Sequence, residues 1–254
     1  MFSLKLFGEC QATIDGKPIS LQRHSEWLLL SHLVIHRHEV NGRSILAEAV
    51  RENPRIEMGE SKMLENLSSV FYSLRKDIGD NNLLKDSGFF KANKWGIGLI
   101  NQPEIECDVW KFDSLCEQAK SSEPTASIRL YEKCIALYVG ELMGGFYIDW
   151  VLEKREIYKQ KYVTLLGNLS KLYEQINDLN KAVHFAEIAV RNSFTDEFAH
   201  HQLILLLVKQ ERFFSALKQF ETCKNDLIRI GRQPLGETEE LIKRARIKLM
   251  HDSV

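Results

Sequence analysis

The chain has 254 residues, 44% hydrophobic and 27% charged, with 34 Lys+Arg against 35 Asp+Glu and a formal net charge of −1. This is globular composition with length for one large or two medium domains, and it excludes disorder and collagen-like repetition. A near-neutral chain has no general attraction for nucleic acid or anionic membrane, so any basic site must be local.

Five cysteines, Cys10, Cys107, Cys116, Cys134 and Cys223, form no C-x-x-C pair, and their odd number favours reduced, buried thiols over a disulfide scheme. The opening MFSLKLFGECQATIDGK lacks a basic region followed by a long apolar run, and runs such as Leu203–Val208 are too short to span a bilayer. The expected compartment is the cytoplasm, with no membrane partner.

In chain order, Ser3–Phe7 and Gln11–Ile14 read as short strands, with Asp15-Gly16 as a tight turn before Pro18-Ile19. Glu26–His36 is continuous and leucine-rich, as in a buried helix. A turn at Asn41-Gly42 leads to a short helix, Ser44–Arg51, closed by Pro54. From Ser61 to Ile78, Leu64, Leu67, Phe71, Leu74 and Ile78 recur at spacings of three and four and mark a core face. The opposite face carries Lys62, Asn66, Ser69, Ser73 and Lys76, with Glu65 and Tyr72 beside them, and Gly79 is placed to end the helix. Leu83–Ile100 has two apolar runs around a Lys/Asn-rich middle, which suits a hairpin. Strands, three helices and a terminal hairpin make a winged helix. Asn101-Gln102-Pro103-Glu104 reads as an exposed linker, dividing a domain at 1–100 from one at 105–254.

The second part repeats itself. A shift of 34 residues pairs Leu169 with Leu203, Tyr173 with Leu207 and Ala182 with Ala216, the period of tetratricopeptide helical pairs. Small Ala182 and Ala216 suit the close approach of helices early in the second helix of each pair. Helices over Asp108–Lys120, Ala126–Tyr138, Asp149–Gln175 and Glu237–Met250 complete the stack. The expected fold is mainly α with a small α+β part: an N-terminal winged helix followed by an α-helical tetratricopeptide-like solenoid.

The order of the motifs resembles the antibiotic-regulatory-protein family of bacterial transcription factors. It is carried by Leu6-Phe-Gly, Asp15-Gly-Lys-Pro-Ile, Leu21-Gln-Arg-His, Arg43-Ser-Ile-Leu and Ser73-Leu-Arg-Lys-Asp-Ile-Gly in the first part. In the second it is carried by Asp108-Val-Trp-Lys-Phe, Tyr138-Val-Gly-Glu-Leu, Asp149-Trp with Glu153 and Arg155, and Leu235-Gly-Glu-Thr-Glu-Glu-Leu. The resemblance implies an OmpR-like winged helix on promoter DNA and a bacterial transcriptional activator domain contacting RNA polymerase, another regulator or a second copy. His24, Val50 and Ser73 depart from the family's basic, tryptophan and arginine residues, and the first and last of these weaken the expected DNA contacts.

With the third helix in a major groove, Asn66 would pair with an adenine edge and Glu65 accept from cytosine, while Ser69 and Ser73 serve either role. Lys62, Arg75, Lys76, Lys91 and Lys94 would hold phosphates with the hairpin along the minor groove, and Arg43 joins this DNA-binding set. From periodicity alone the same residues read as a solvated helix face. Trp95 is open to two readings, packing the hairpin onto its domain or touching DNA, and the first is favoured. His32, His36 and His38 lack acidic or thiol partners at ligand spacing, so they and His200-His201 read as surface or cap residues rather than a metal site. No phosphate loop or catalytic motif is present, so neither an enzyme nor a cofactor is expected. The rival reading is a protein-interaction module whose winged helix no longer binds DNA. Residues 1–100 hold 13 Lys+Arg and 12 Asp+Glu, fewer cations than a strong non-specific DNA binder carries.

Overall fold

The computed structural model describes residues 1–37, 41–52, 56–78, 89–99 and 105–251. The chain divides into two compact units, one of Met1–Ser114 with Ala136–Glu156 and one of Leu115–Ile135 with Ile157–Val254.

The first unit opens with β1 (Phe2–Lys5), β2 (Gln11–Ile14) and β3 (Lys17–Ile19), an antiparallel meander turned at Asp15-Gly16. The sequence did not suggest that β6 (Ile105–Cys107) would pair parallel to β1, with Phe2 opposite Ile105 and Leu4 opposite Cys107, giving the order β3-β2-β1-β6. Phe2, Leu4, Ile105 and Cys107 are all buried, the alternation that puts one side of each strand in the core. Three helices follow the meander: α1 (His24–Ile35), α2 (Arg43–Ala49) and α3 (Glu60–Asp77). Helix α1 packs on α2, on α3 and on the strand Ile97–Leu99, and its leucines at 28, 29, 30 and 33 are all buried. The expected turn at Asn41-Gly42 is instead extended backbone. Gly42 has φ −61° and ψ 146°, and it bridges Gly96 of the two-stranded hairpin β4 (Phe90–Ala92) and β5 (Ile97–Leu99). Pro54, Gly79, His38, residues 83–88, Ile100 and the 101–104 seam lie outside the described residues.

Helix α4 (Asp108–Lys120) begins on Asp108, whose carboxylate accepts the backbone N–H groups of Leu6, Phe7 and Val109 at 2.8–2.9 Å. Burial pushes that carboxyl above its ordinary value, and the three backbone donors pull the other way. Trp110 donates Nε1–H to the carbonyl of Val34 at 2.8 Å. After α5 (Pro124–Leu137), which starts two residues earlier than expected because proline is well placed in a first turn, the 138–146 loop lies along the β1–β2 connection. Gly8 donates to the Glu141 carbonyl, and Met143 donates to that of Leu6. Buried Arg155 gathers the loop, donating to the carbonyls of Leu142, Met143 and Phe146 at 2.8–2.9 Å.

In the second unit the 34-residue period holds down to single hydrogen bonds. Helix α6 (Asp149–Gln175) is followed by α7 (Leu179–Asn192), and α8 (Glu197–Lys209) by α9 (Phe213–Arg229). Asn177 and Glu211 occupy the same turn position with left-handed φ of 61° and 59°. One residue on, Asp178 donates N–H to Tyr173 and Arg212 to Leu207, each carbonyl again 34 residues from its counterpart. Ala182 and Ala216 are fully buried, as close helix approach requires. Helix α10 (Gly236–His251) packs on α8 and α9. His200, expected at a surface or cap, is buried instead, with Nε2 at 2.8 Å from the Phe194 carbonyl and Nδ1 accepting from Gln219. Cys107, Cys134 and Cys223 are buried thiols, while Cys10 and Cys116 are half-buried. Among the described residues, no helix is long and apolar enough to cross a membrane.

Candidate nucleic-acid interface

Helix α3 earns its orientation from the spacing of its apolar residues. Leu67, Val70, Leu74 and the following Ile78 are buried, which turns Lys62, Glu65, Ser69, Tyr72 and Lys76 to solvent, with Asn66 and Ser73 half-buried at the edge of that face. A side chain at each of these positions is therefore presented on one helical surface, as reading a groove requires. Arg75 is half-buried, with its guanidinium 5.8 Å from the Phe71 ring, so its charge lies over an aromatic face beside the lysines.

The start of α1 adds a cation that periodicity did not reveal. Arg23 occupies the N-cap position, and its Nη1 donates to Ser69 Oγ at 3.4 Å. Its backbone is held from behind: the Glu26 carboxylate accepts the N–H groups of Gln22 and Arg23, and Asp77 accepts from Gln22 at 3.3 Å. The only hint in the sequence was Arg23 within the Leu21-Gln-Arg-His motif, 46 residues from Ser69.

Arg43 and the hairpin form the second half of the surface. Arg43 Nε donates to the Asn93 carbonyl at 2.9 Å, and its backbone N–H donates to that of Trp95 at 3.2 Å. The Nε–H and the backbone N–H of Arg43 thus brace the hairpin turn. Lys91 and Lys94 are exposed on β4 and on the turn. Helix and hairpin meet at Phe71 and Phe90, edge to face with centroids 5.6 Å apart. Trp95 does not pack the hairpin onto the domain, as its sequence context suggested. It is 71% exposed, because it sits in the turn where strand alternation no longer assigns a side.

His32 is also not on the surface. It is 7% exposed, 4.1 Å from the ring of His36 and 5.1 Å from that of Trp150, and burial lowers its pKa to about 4, helped by His36 and Lys154. Trp150 in turn donates Nε1–H to the Ala49 carbonyl that ends α2. The element preceding α3 is therefore braced by a tryptophan about a hundred residues away in sequence. Among the described residues, no three His, Cys, Asp or Glu side chains group as metal ligands would.

A family model for the bacterial transcriptional activator domain matches residues 107–246. Among solved structures, the chain is similar to Mycobacterium tuberculosis EmbR in complex with low affinity phosphopeptide. That match has a TM-score of 0.79 at 19% identity and covers 97% of this chain but 65% of that one. The chain thus spans just under two thirds of that relative's length. The chain is also similar to the Sgt2 TPR domain from Aspergillus fumigatus, with a TM-score of 0.42 at 14% identity over 56% of this chain and 82% of that one. The C-terminal TPR-containing domain of a Plasmodium falciparum putative FK506-binding protein gives a TM-score of 0.44 at 13% identity, over 57% of this chain and 93% of that one. No curated protein matches the sequence. With more than half of its residues matched by the activator-domain model, the chain belongs to the bacterial transcriptional activator domain family.

Proposed function

We propose that the chain binds promoter DNA through its winged helix and activates transcription through contacts of the helical repeats with RNA polymerase, another regulator or a second copy. The observation that carries the DNA-binding half is the face of α3. Lys62, Asn66, Ser69 and Lys76 share one polar surface, with Arg23 hydrogen-bonded to it and the Lys91–Lys94 hairpin joined to the same helix through Phe71 and Phe90. Lysines at its edges would hold phosphates, while Asn66, Glu65, Ser69 and Ser73 would read base edges. The activating half rests on family membership. Phe198 and Phe214, exposed in the repeats, are candidate partner contacts.

Salt titration of duplex binding tests the DNA-binding half. Replacing Lys62, Lys76, Lys91 or Lys94 with alanine should weaken binding to every sequence and reduce the slope of log K against log salt by about 0.9 per residue. Asn66→Ala should cost about 1–3 kcal/mol on the preferred site and little on random duplex. One observation favours the rival interaction module, the near-balance of 13 cations and 12 anions in residues 1–100. That rival becomes the better account if the wild-type chain at low salt prefers no duplex over random DNA and the lysine variants change nothing.

A further inference from the structure

We infer that the cavity walled by α1, α2 and residues 148–150 is a binding site for an uncharged, largely apolar ring compound that bears a hydroxyl group. The inference goes beyond the DNA-binding reading and does not depend on it. Among the described residues, none of those assigned to base edges or phosphates lines this cavity.

The described residues that line the cavity all belong to the first compact unit. Its volume is about 400 Å³, within the roughly 300–1,000 Å³ of small-molecule sites. Ile45 and Ala49 of α2, with Ile148 and the Trp150 indole, supply an apolar wall. Ala49 is buried and Trp150 half-buried, while Ile45 is 60% exposed and marks the open side. The indole spends its N–H on the Ala49 carbonyl at 3.0 Å, so the ring is held in place and offers a carbon surface that suits another ring.

His32 supplies the polar contact. It forms part of the wall and is 7% exposed, and its Nδ1 has no hydrogen-bond partner among the described residues. Asn41 hydrogen-bonds the same ring, and the Trp150 ring stands edge-on to it at 5.1 Å. Buried polar atoms are nearly always paired, so a ring nitrogen left over beside an apolar cavity marks where a ligand's polar group belongs. Burial keeps the imidazole neutral near neutral pH, and a hydroxyl can donate to it or accept from it in either tautomer. The charges around the cavity offset one another. Glu48 accepts two bonds from Arg51 Nη1, at 2.6 and 2.8 Å, and Arg51 Nη2 donates to the Ile56 carbonyl. Exposed Asp149 is balanced by Lys154, which is near enough to act on His32. A charged ligand would lose hydration here and meet no surplus of the opposite sign among the described residues, which favours an uncharged one.

The test uses the full chain labelled with 5-fluorotryptophan, its fluorine NMR signal for Trp150 assigned from Trp150→Phe. The probe is 2-naphthol, with naphthalene and 2-naphthoate as its apolar and anionic counterparts. On titration with 2-naphthol the Trp150 signal should shift and saturate, with half-saturation below about 1 mM, while those of Trp27, Trp95 and Trp110 stay in place. Naphthalene should bind about fivefold more weakly for want of the hydroxyl, and 2-naphthoate should leave the signal unmoved. His32→Phe keeps a ring at the wall and should erase the advantage of 2-naphthol over naphthalene. Ile45→Arg, at an exposed position that folding does not depend on, should weaken 2-naphthol about tenfold by putting a charge at the opening. Four results overturn the inference: a Trp150 signal that 2-naphthol does not move, equal shifts of all four tryptophans, equal affinity for 2-naphthol and naphthalene in the wild-type chain, or binding of 2-naphthoate as tight as that of 2-naphthol. A Trp150 shift that follows protein concentration without any probe, and that 2-naphthol does not reverse, also overturns it and makes the cavity a contact between two copies.

Discussion

Arg23 places a guanidinium against Ser69 without lying on the helix that carries Ser69. If it also meets a phosphate, Arg23→Ala should reduce the salt slope of duplex binding by about 0.9 while leaving thermal stability near wild type, since Glu26 and Asp77 bond the backbone there and not the side chain. His32 bears on stability instead. Its pKa falls from 6.5 to about 4 on folding, so the unfolded chain takes up the proton first, and stability should drop as pH falls from about 6.5 toward 4. The full loss is about 3 kcal/mol. Chemical denaturation at stepped pH should show it, and His32→Gln should flatten the curve over that window. A wild-type curve flat between those values would place the imidazole in water. Sequence periodicity found the α3 lysines because one helix carries its own ruler. Arg23, Trp95 and His32 escaped it because their surroundings are supplied by residues far along the chain or by a turn with no period.

At the level of elements, the strands, α1 to α3 and the helices of the repeats could be read from the sequence, and β6 could not. Ile105-Glu-Cys is too short for alternation to register, and it becomes a strand only because β1 offers a free edge and Asp108 bonds the N–H groups of Leu6 and Phe7. The loop held by Arg155 has the same character, since its carbonyls find their donor on a helix that follows. Arg155→Ala leaves the carbonyls of Leu142, Met143 and Phe146 without that donor and should cost about 3–5 kcal/mol in urea unfolding. A cost below about 1 kcal/mol would show that water replaces it. In the repeats, Glu211 holds a left-handed φ of 59° without being glycine, and Glu211→Gly should raise stability by about 0.5–1 kcal/mol. A loss of stability instead would mean that the glutamate side chain contributes more than its backbone strain costs.

For the whole molecule, the first compact unit draws on Ile105–Ser114 and Ala136–Glu156 as well as on the segment before the 101–104 seam. A fragment ending at residue 100 lacks β6, the Asp108 carboxylate and the Trp110 and Trp150 donors. It should therefore melt at a lower temperature and less cooperatively than a fragment ending at 156, and equal melting of the two would make those additions dispensable. Limited proteolysis of the full chain should cut first within 101–104, where Pro103 and its polar neighbours separate two regions of independent periodicity. The proposed function requires that this chain select DNA sequence through its winged helix. Genome-wide immunoprecipitation of DNA bound by the full chain, compared with its Asn66→Ala variant, tests it most directly. A sharp shared motif is expected under the wild-type peaks, weakened or relaxed at one position in the variant. Recovery of fragments with no shared motif, identical for both proteins, would contradict it.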